Sequence, residues 1–168
     1  MVKLEKQNFR KNKSIFKSIK KQLEKELKDK IPIEHVGSTA IPNMYGKNII
    51  DILIGAKDSN EFEYIKSVLE KNNFYGSLKS KTDIYQFFAS KTGETKSGDI
   101  HIHLVIKETE RYKEFIMLRD YLLNNKEIAK EYSNYKKKLI DNNIAEREDY
   151  KRVKSEYVSK LIEKAKKI

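Results

Sequence analysis

Hydrophobic positions along the chain follow two periods, and the change from one to the other lays out the expected elements. Phe9, Ile15, Phe16, Ile19, Leu23 and Leu27 recur mostly every three or four residues, which predicts an amphipathic helix ending near Asp29, ahead of Pro32. Residues 31–36 read as a strand. Residues 49–54 form an almost unbroken aliphatic run, the pattern of a buried strand, with Gly55 expected to close it. Asp58 and Glu61 have capping-box spacing ahead of Phe62, Ile65, Val68 and Leu69, the apolar face of a second helix. Residues 74–78 and 84–90 are further strand candidates, and Thr92-Gly93-Glu94 is an expected turn. After Asp99, the apolar positions Ile100, Ile102, Leu104 and Ile106 alternate with His101, His103 and Val105, so a strand there sets both histidines on one face. Beyond Lys107 every pattern is helical. One face carries Phe115, Leu118 and Leu122, a second Ile128, Tyr132, Tyr135 and Leu139, and a third Tyr150, Val153, Tyr157 and Leu161. The layout predicts one domain of the α+β class: an N-terminal helix over 1–30, a mixed α/β core over 31–107, and a helical C-terminal portion over 108–168 packed on it.

Composition narrows the chemistry. At 168 residues and 38% hydrophobic, the chain is long enough for one proper core. The absence of cysteine excludes disulfides, thiolate metal sites and a cysteine nucleophile, and fits a reducing cytoplasm, the expected location. No stretch resembles a signal peptide, and no apolar run approaches membrane-spanning length. A formal net charge of +11 favours anionic partners: nucleotides, nucleic acid or acidic phospholipid. A lysine-rich genomic bias and solvated helix faces give the same number, so charge alone does not choose among them.

The candidate chemistry lies in Ile33-Glu34-His35-Val36-Gly37-Ser38-Thr39-Ala40-Ile41-Pro42 and in Lys47-Asn48-Ile49-Ile50-Asp51-Ile52-Leu53-Ile54. A Gly37-Ser38 turn offers close backbone approach, N–H groups and a hydroxyl, all suited to phosphate. Asp51 is a lone acid in an apolar strand, and burying it is costly unless a cation, a donor or solvent meets it. It is therefore read either as a Mg²⁺ or Mn²⁺ ligand or as a structural acid taking loop N–H groups or pairing with Lys47. Side-by-side pairing of its strand with residues 31–36 would bring Ser38 and Asp51 to one edge. His101 and His103 share a strand face, where imidazole can act as general base or as a ligand for the softer divalent ions.

These blocks resemble the signature of the GrpB family. The resemblance continues through His101-Ile102-His103-Leu104-Val105, Leu118-Arg119-Asp120-Tyr121-Leu122, Glu131-Tyr132, Tyr135-Lys136, Tyr150-Lys151 and Lys154. It implies a nucleotidyltransferase-like fold, the type shared with DNA polymerase beta and the tRNA CCA-adding enzymes. In that superfamily a Gly-Ser turn precedes a strand with two acids one residue apart. The implied reaction is transfer of a nucleoside monophosphate from a nucleoside triphosphate to an unknown acceptor, with release of pyrophosphate. Gly37, Ser38, Thr39, Lys47 and Arg119 would then hold phosphates. Asp51 and His103 would hold the metal ion, and Asp51, His101 and His103 would form the catalytic group. Arg119 serves equally well as a partner of Asp120 or Glu34 that docks its helix.

Leu53 departs from this pattern, because it stands where the second acid belongs and coordinates nothing. The alternative is therefore a non-catalytic module that binds a nucleotide, a CoA-like phosphorylated ligand or RNA. A zinc hydrolase built from His35, His101 and His103 is a third, weaker reading, without a helical His-Glu-His signature. Lys136 and Lys154 are within reach of the pocket, although lysines on amphipathic helices are usually solvated, and Tyr132 and Tyr135 are read as packing residues. Oligomeric state is not legible.

Overall fold

The computed structural model describes residues 1–27, 30–90 and 100–167. Asp29, the Thr92-Gly93-Glu94 turn and Asp99 lie outside the described residues. In chain order the elements are β1 (Glu5–Lys6), α1 (Phe9–Glu26), β2 (Ile33–Val36), β3 (Tyr45–Gly46), β4 (Ile50–Ala56), α2 (Ser59–Lys71), β5 (Phe74–Gly76), β6 (Tyr85–Ser90), β7 (Ile100–Ile106), α3 (Glu110–Asn124), α4 (Lys126–Asp141) and α5 (Arg147–Ala165). Single 3₁₀ turns, Ser38–Ala40 and Leu78–Ser80, follow β2 and β5. The fold is α+β, as expected: a mixed five-stranded sheet in the order β2-β4-β7-β6-β5 with helices on both faces.

Local chemistry starts and stops the helices. Asn8 caps α1, its side chain accepting from the Lys11 N–H. Asp58 caps α2 by accepting from the Glu61 N–H at 2.9 Å. The returning Glu61 carboxylate accepts from the Lys57 N–H at 2.7 Å, one residue before the position a capping box uses. α2 buries Phe62, Ile65, Val68 and Leu69, the four apolar positions read from its period.

β4 forms the middle of the core. It pairs antiparallel with β2 and parallel with β7, so Asp51 lies between Val36 and His101, and Leu53 between Glu34 and His103. Strand alternation sorts the core into two layers. Ile50, Ile52, Ile54, Ile102 and Leu104 pack under α1 and α2, with Leu23, Leu27 and Ile65 above them. On the opposite face Val36, Leu53, Tyr85 and Val105 pack against Tyr112 of α3. β4 runs on through Gly55 to Ala56, so Gly55 does not close the strand as expected.

The N-terminal segment is more than a helix. β1 pairs with β3, two residues on each side, in a ladder too short for hydrophobic periodicity to announce. β3 is in turn gripped by α4, whose Ser133 hydroxyl accepts from the Tyr45 N–H at 2.8 Å. Ile41 and Met44, in the connection leading to β3, pack with Leu122, Ala129, Tyr132 and Leu161 from the three C-terminal helices. The helical portion thus closes over the end of the sheet where β2 leaves and β4 and β7 begin.

Leu53 is fully buried in the layer under α3. Leu53→Asp is therefore expected to lower unfolding free energy by about 3 kcal/mol or more, as an unpaired carboxylate enters an apolar layer, rather than to complete an ion site. Urea denaturation of the variant measures this.

Candidate functional site

The turn that leaves β2 shapes the site. Gly37 has φ 72° and ψ −169°, a region open essentially to glycine alone. A Cβ at this position would also collide with the Asp51 carboxylate. The turn can therefore lie directly on the acid, and Ser38 and Thr39 follow it into a pocket. This pocket, about 130 Å³ in volume, is lined by Ser38, Thr39, Gly46, Lys47, Ile49, Asp51, His101, Lys136, Tyr150 and Lys154.

Asp51 is held as an anion. Burial would raise its carboxyl pKa, but His101 Nδ1 at 3.4 Å and His103 Nε2 at 3.7 Å outweigh that and hold it well below the usual carboxylate range. The Asp51 side chain is 26% exposed, enough to meet the pocket. The two imidazoles have different surroundings. His101 lines the pocket, with Phe87 edge-on at 4.8 Å. His103 is not a lining residue. It sits against Phe115 and Phe87, its ring centroid 4.6 Å from that of Phe115, and its Nδ1 pairs with the Tyr85 hydroxyl at 3.0 Å.

His35 lies on the other face of the sheet, opposite Ile52 and stacked on Phe16 of α1 at 4.6 Å. Thr39 donates its hydroxyl proton to the Ile49 carbonyl at 3.2 Å, so His35 Nε2, 2.9 Å from that hydroxyl, must carry hydrogen and donate. Burial, helped by Arg119 and Lys13, lowers the His35 pKa to about 4. The sheet thus separates His35 from His101 and His103, which removes the zinc reading that joined all three. The physical reason is strand alternation: His35 pairs with Ile52, whereas His101 pairs with Asp51.

Arg119 is also elsewhere. Its guanidinium donates to the Glu34 carboxylate at 2.7 Å and to Asp120 at 2.8 Å, which docks α3 against β2, and it does not line the pocket. Of the phosphate-binding candidates, Ser38, Thr39 and Lys47 converge on the pocket, while Gly37 supplies its floor through Asp51.

The principal addition is the burial of Lys136 and the part that the helix lysines take in the pocket wall. Lys136 is only 1% exposed. Its Nζ donates to Ser38 Oγ at 2.8 Å and to the Tyr45 carbonyl, and lies 4.8 Å from the Tyr132 ring. Burial and the nearby Lys154 lower its pKa to about 7. Burial likewise lowers the pKa of Lys154, against the pull of Asp51. Lys47 Nζ lies 5.3 Å from the ring of Tyr150. The signal for both helix lysines was present in the period: Lys136 falls on the stripe Tyr132-Lys136-Leu139, and Lys154 on Tyr150-Lys154-Tyr157-Leu161. Lys136 is buried and Lys154 half-buried, as positions facing the core should be.

These donors do not fit a resident Mg²⁺. That ion requires several oxygen ligands, and the pocket supplies one carboxylate. Among the described residues, no group of three or more His, Asp or Glu side chains is arranged to hold a metal ion. Instead, three lysine side chains share the space with one carboxylate, which suits an anion.

His35 sets an acid limit. Its folded pKa of about 4 lies below the 6.5 of a solvated imidazole, so the unfolded chain binds the extra proton between these values. Stability is expected to fall as pH drops from 6.5 toward 4, and Asp51 adds to the loss only at still lower pH. Melting temperature measured against pH for the protein and for His35→Gln checks this: the variant's curve should be flatter in that window.

The comparisons with known proteins agree with this architecture. The family model described as GrpB protein matches residues 3–164. The glutamate-rich protein GrpB of Alkalihalophilus pseudofirmus is 30% identical over 92% of this chain and 86% of its own length. A UPF0157 protein of Halalkalibacterium halodurans is 29% identical over 80% of this chain and 67% of its own. Among solved structures, conserved protein GrpB from Enterococcus faecalis superposes with a TM-score of 0.77 at 21% identity, covering 97% of this chain and 96% of that one. The Cid1 poly(U) polymerase aligns over 70% of this chain and 41% of its own with a TM-score of 0.44, a likeness too slight to bear on chemistry. The chain belongs to the GrpB family.

Proposed function

We propose that the pocket binds the phosphate groups of a nucleotide or another phosphorylated small molecule, and that it does so without a resident divalent ion. The observation that carries this reading is the set of three lysine amines, Lys47, Lys136 and Lys154, on the wall that also presents the Ser38 and Thr39 hydroxyls. Phosphate oxygens accept short, charge-assisted hydrogen bonds from ammonium groups, and such bonds strengthen where water is excluded. Asp51 then has a role other than metal ligation. Its carboxylate faces the same cations, limits their mutual repulsion while the pocket is empty, and anchors the Gly37 turn. The pocket volume suits phosphate groups rather than a whole nucleotide, so a base or other organic moiety would lie outside it.

One observation favours catalysis as a second reading. His101 lines the pocket beside an ionised Asp51, where an imidazole can accept a proton from an attacking hydroxyl. Transfer of a nucleoside monophosphate to an acceptor would use it in that way. Transfer of labelled nucleotide with Mg²⁺ or Mn²⁺ tests this, and transfer that survives both Asp51→Ala and His101→Ala removes it.

Thermal shift with pyrophosphate, nucleoside triphosphates and CoA precursors, each in the presence of a chelator, tests the main reading. A ligand at about a hundred times its dissociation constant should raise the melting temperature by about 5–10 °C. Lys154→Met and Lys47→Met should each weaken binding by about ten- to a hundredfold, as one charge-assisted contact is lost. Stabilisation seen only with a divalent ion, or with no phosphorylated compound at all, contradicts the proposal.

A further inference from the structure

We propose that Ser38 and Lys136 form a nucleophile–base pair directed at the phosphorus of a phosphoanhydride. Ser38 Oγ and Lys136 Nζ lie 2.8 Å apart on the pocket wall, with the amine buried and the hydroxyl half-buried. A serine hydroxyl is a weak nucleophile unless an adjacent base takes its proton. A lysine can be that base only when it is neutral and its lone pair points at the hydroxyl.

β3 holds both partners in place. A Cβ on Gly46 would lie 2.9 Å from Ser38 Cβ, so this backbone is the wall against which the serine side chain rests. The neighbouring Tyr45 carbonyl accepts from Lys136 Nζ, and the Tyr45 N–H donates to Ser133 Oγ one turn earlier on α4. The amine is thereby aimed from two sides. When neutral, it keeps an N–H for the Tyr45 carbonyl and turns its lone pair to the Ser38 O–H, with no change of position. Both oxygens it reaches are uncharged, so neither compensates the ammonium form.

Groups facing Lys136 act in the same direction, on balance. Lys154 from α5 repels the ammonium form, Asp51 from β4 favours it, and burial outweighs both, which leaves a pKa of about 7. Tyr132 on the same helix, with Lys47 and Tyr150 across the pocket, completes the ionisable surroundings. The neutral amine is therefore well populated near neutral pH in the empty pocket, and once an anion has bound the attack runs through the neutral fraction that remains.

The step balances without a further reactant. The Ser38 oxygen forms a bond to phosphorus while its proton moves to Lys136 Nζ. The P–O bond of the anhydride breaks, and its electron pair leaves on the departing phosphate, whose charge faces Lys47 and Lys154. The products are a phosphoester on Ser38, a free phosphate or pyrophosphate, and a protonated Lys136. The choice of a phosphoanhydride rests on the anion-binding reading above, whereas the nucleophile–base pair itself does not.

A fluorophosphonate probe tests the pair directly, because the same attack at phosphorus expels fluoride. Intact mass and peptide mapping should show one adduct, on Ser38, absent from Ser38→Ala. Its rate should rise about tenfold from about pH 6 to about pH 8, following the neutral fraction of an amine of pKa about 7. In Lys136→Met the rate should fall by at least about tenfold and lose that pH dependence. If this variant does not fold, the pH profile of the unmodified protein against a heat-denatured control decides. An adduct elsewhere, no adduct, or a flat profile overturns the pair. Labelled adenosine triphosphate separates the two claims. A fluorophosphonate adduct without a nucleotide-derived one overturns the phosphoanhydride assignment alone. Nucleotide binding with no adduct from either reagent overturns the nucleophile and leaves anion binding standing.

Discussion

A buried lysine ties the two halves of the molecule together. Lys136 reaches out of α4 to the Ser38 hydroxyl and the Tyr45 carbonyl, bridging the helical C-terminal portion to the turn after β2 and to β3. A single ammonium without a carboxylate partner is costly inside a protein, and the cost falls on the charged form. The arrangement is understandable where the cation is meant to meet an anion that arrives from solvent. The pocket, the depressed pKa and the docking of α4 on β3 are then consequences of one placement.

The acid beside it follows the opposite logic. Asp51 is the second residue of β4, between Val36 and His101, under a glycine whose lack of a side chain lets the turn rest on the carboxylate. Two imidazoles keep it ionised. Two residues further along β4 stands Leu53, and the space around it is filled by Tyr112 and Val105. The apolar layer under α3 thus closes the place where a second ligand would stand, and ammonium groups from α4, α5 and the segment before β4 supply positive charge at the site instead.

Much of this was legible beforehand, and what escaped did so for physical reasons. Strong periods gave α2 with its cap, β7 with both histidines on one face, and the stripes of α4 and α5. Antiparallel pairing of β2 with β4 brought Ser38 and Asp51 together as expected. The β1–β3 ladder was invisible because two residues have no period. Gly55 misled because strand interiors tolerate glycine where a ring such as Tyr112 packs closely. Arg119 offered two roles of equal chemical merit, and only the position of Glu34 across the helix–strand contact decides between them. Lys136 and Lys154 stood within reach of the pocket, but lysines on helices are usually solvated, and only their place on apolar stripes pointed inward. His35 shows the limit of residue type: it lies in the same block of motif residues as Ser38, yet alternation turns it to the opposite face of the sheet from Asp51.

Calorimetric titration with pyrophosphate, in a chelator and in two buffers of different ionisation enthalpy, is the most direct test of a lysine-lined anion site. An incoming anion should raise the pKa of Lys136 from about 7, so binding slightly above neutral pH should take up a proton, and the uptake should vanish in Lys136→Met. Binding that needs a divalent ion, or that moves no proton while Lys136 is intact, would contradict it.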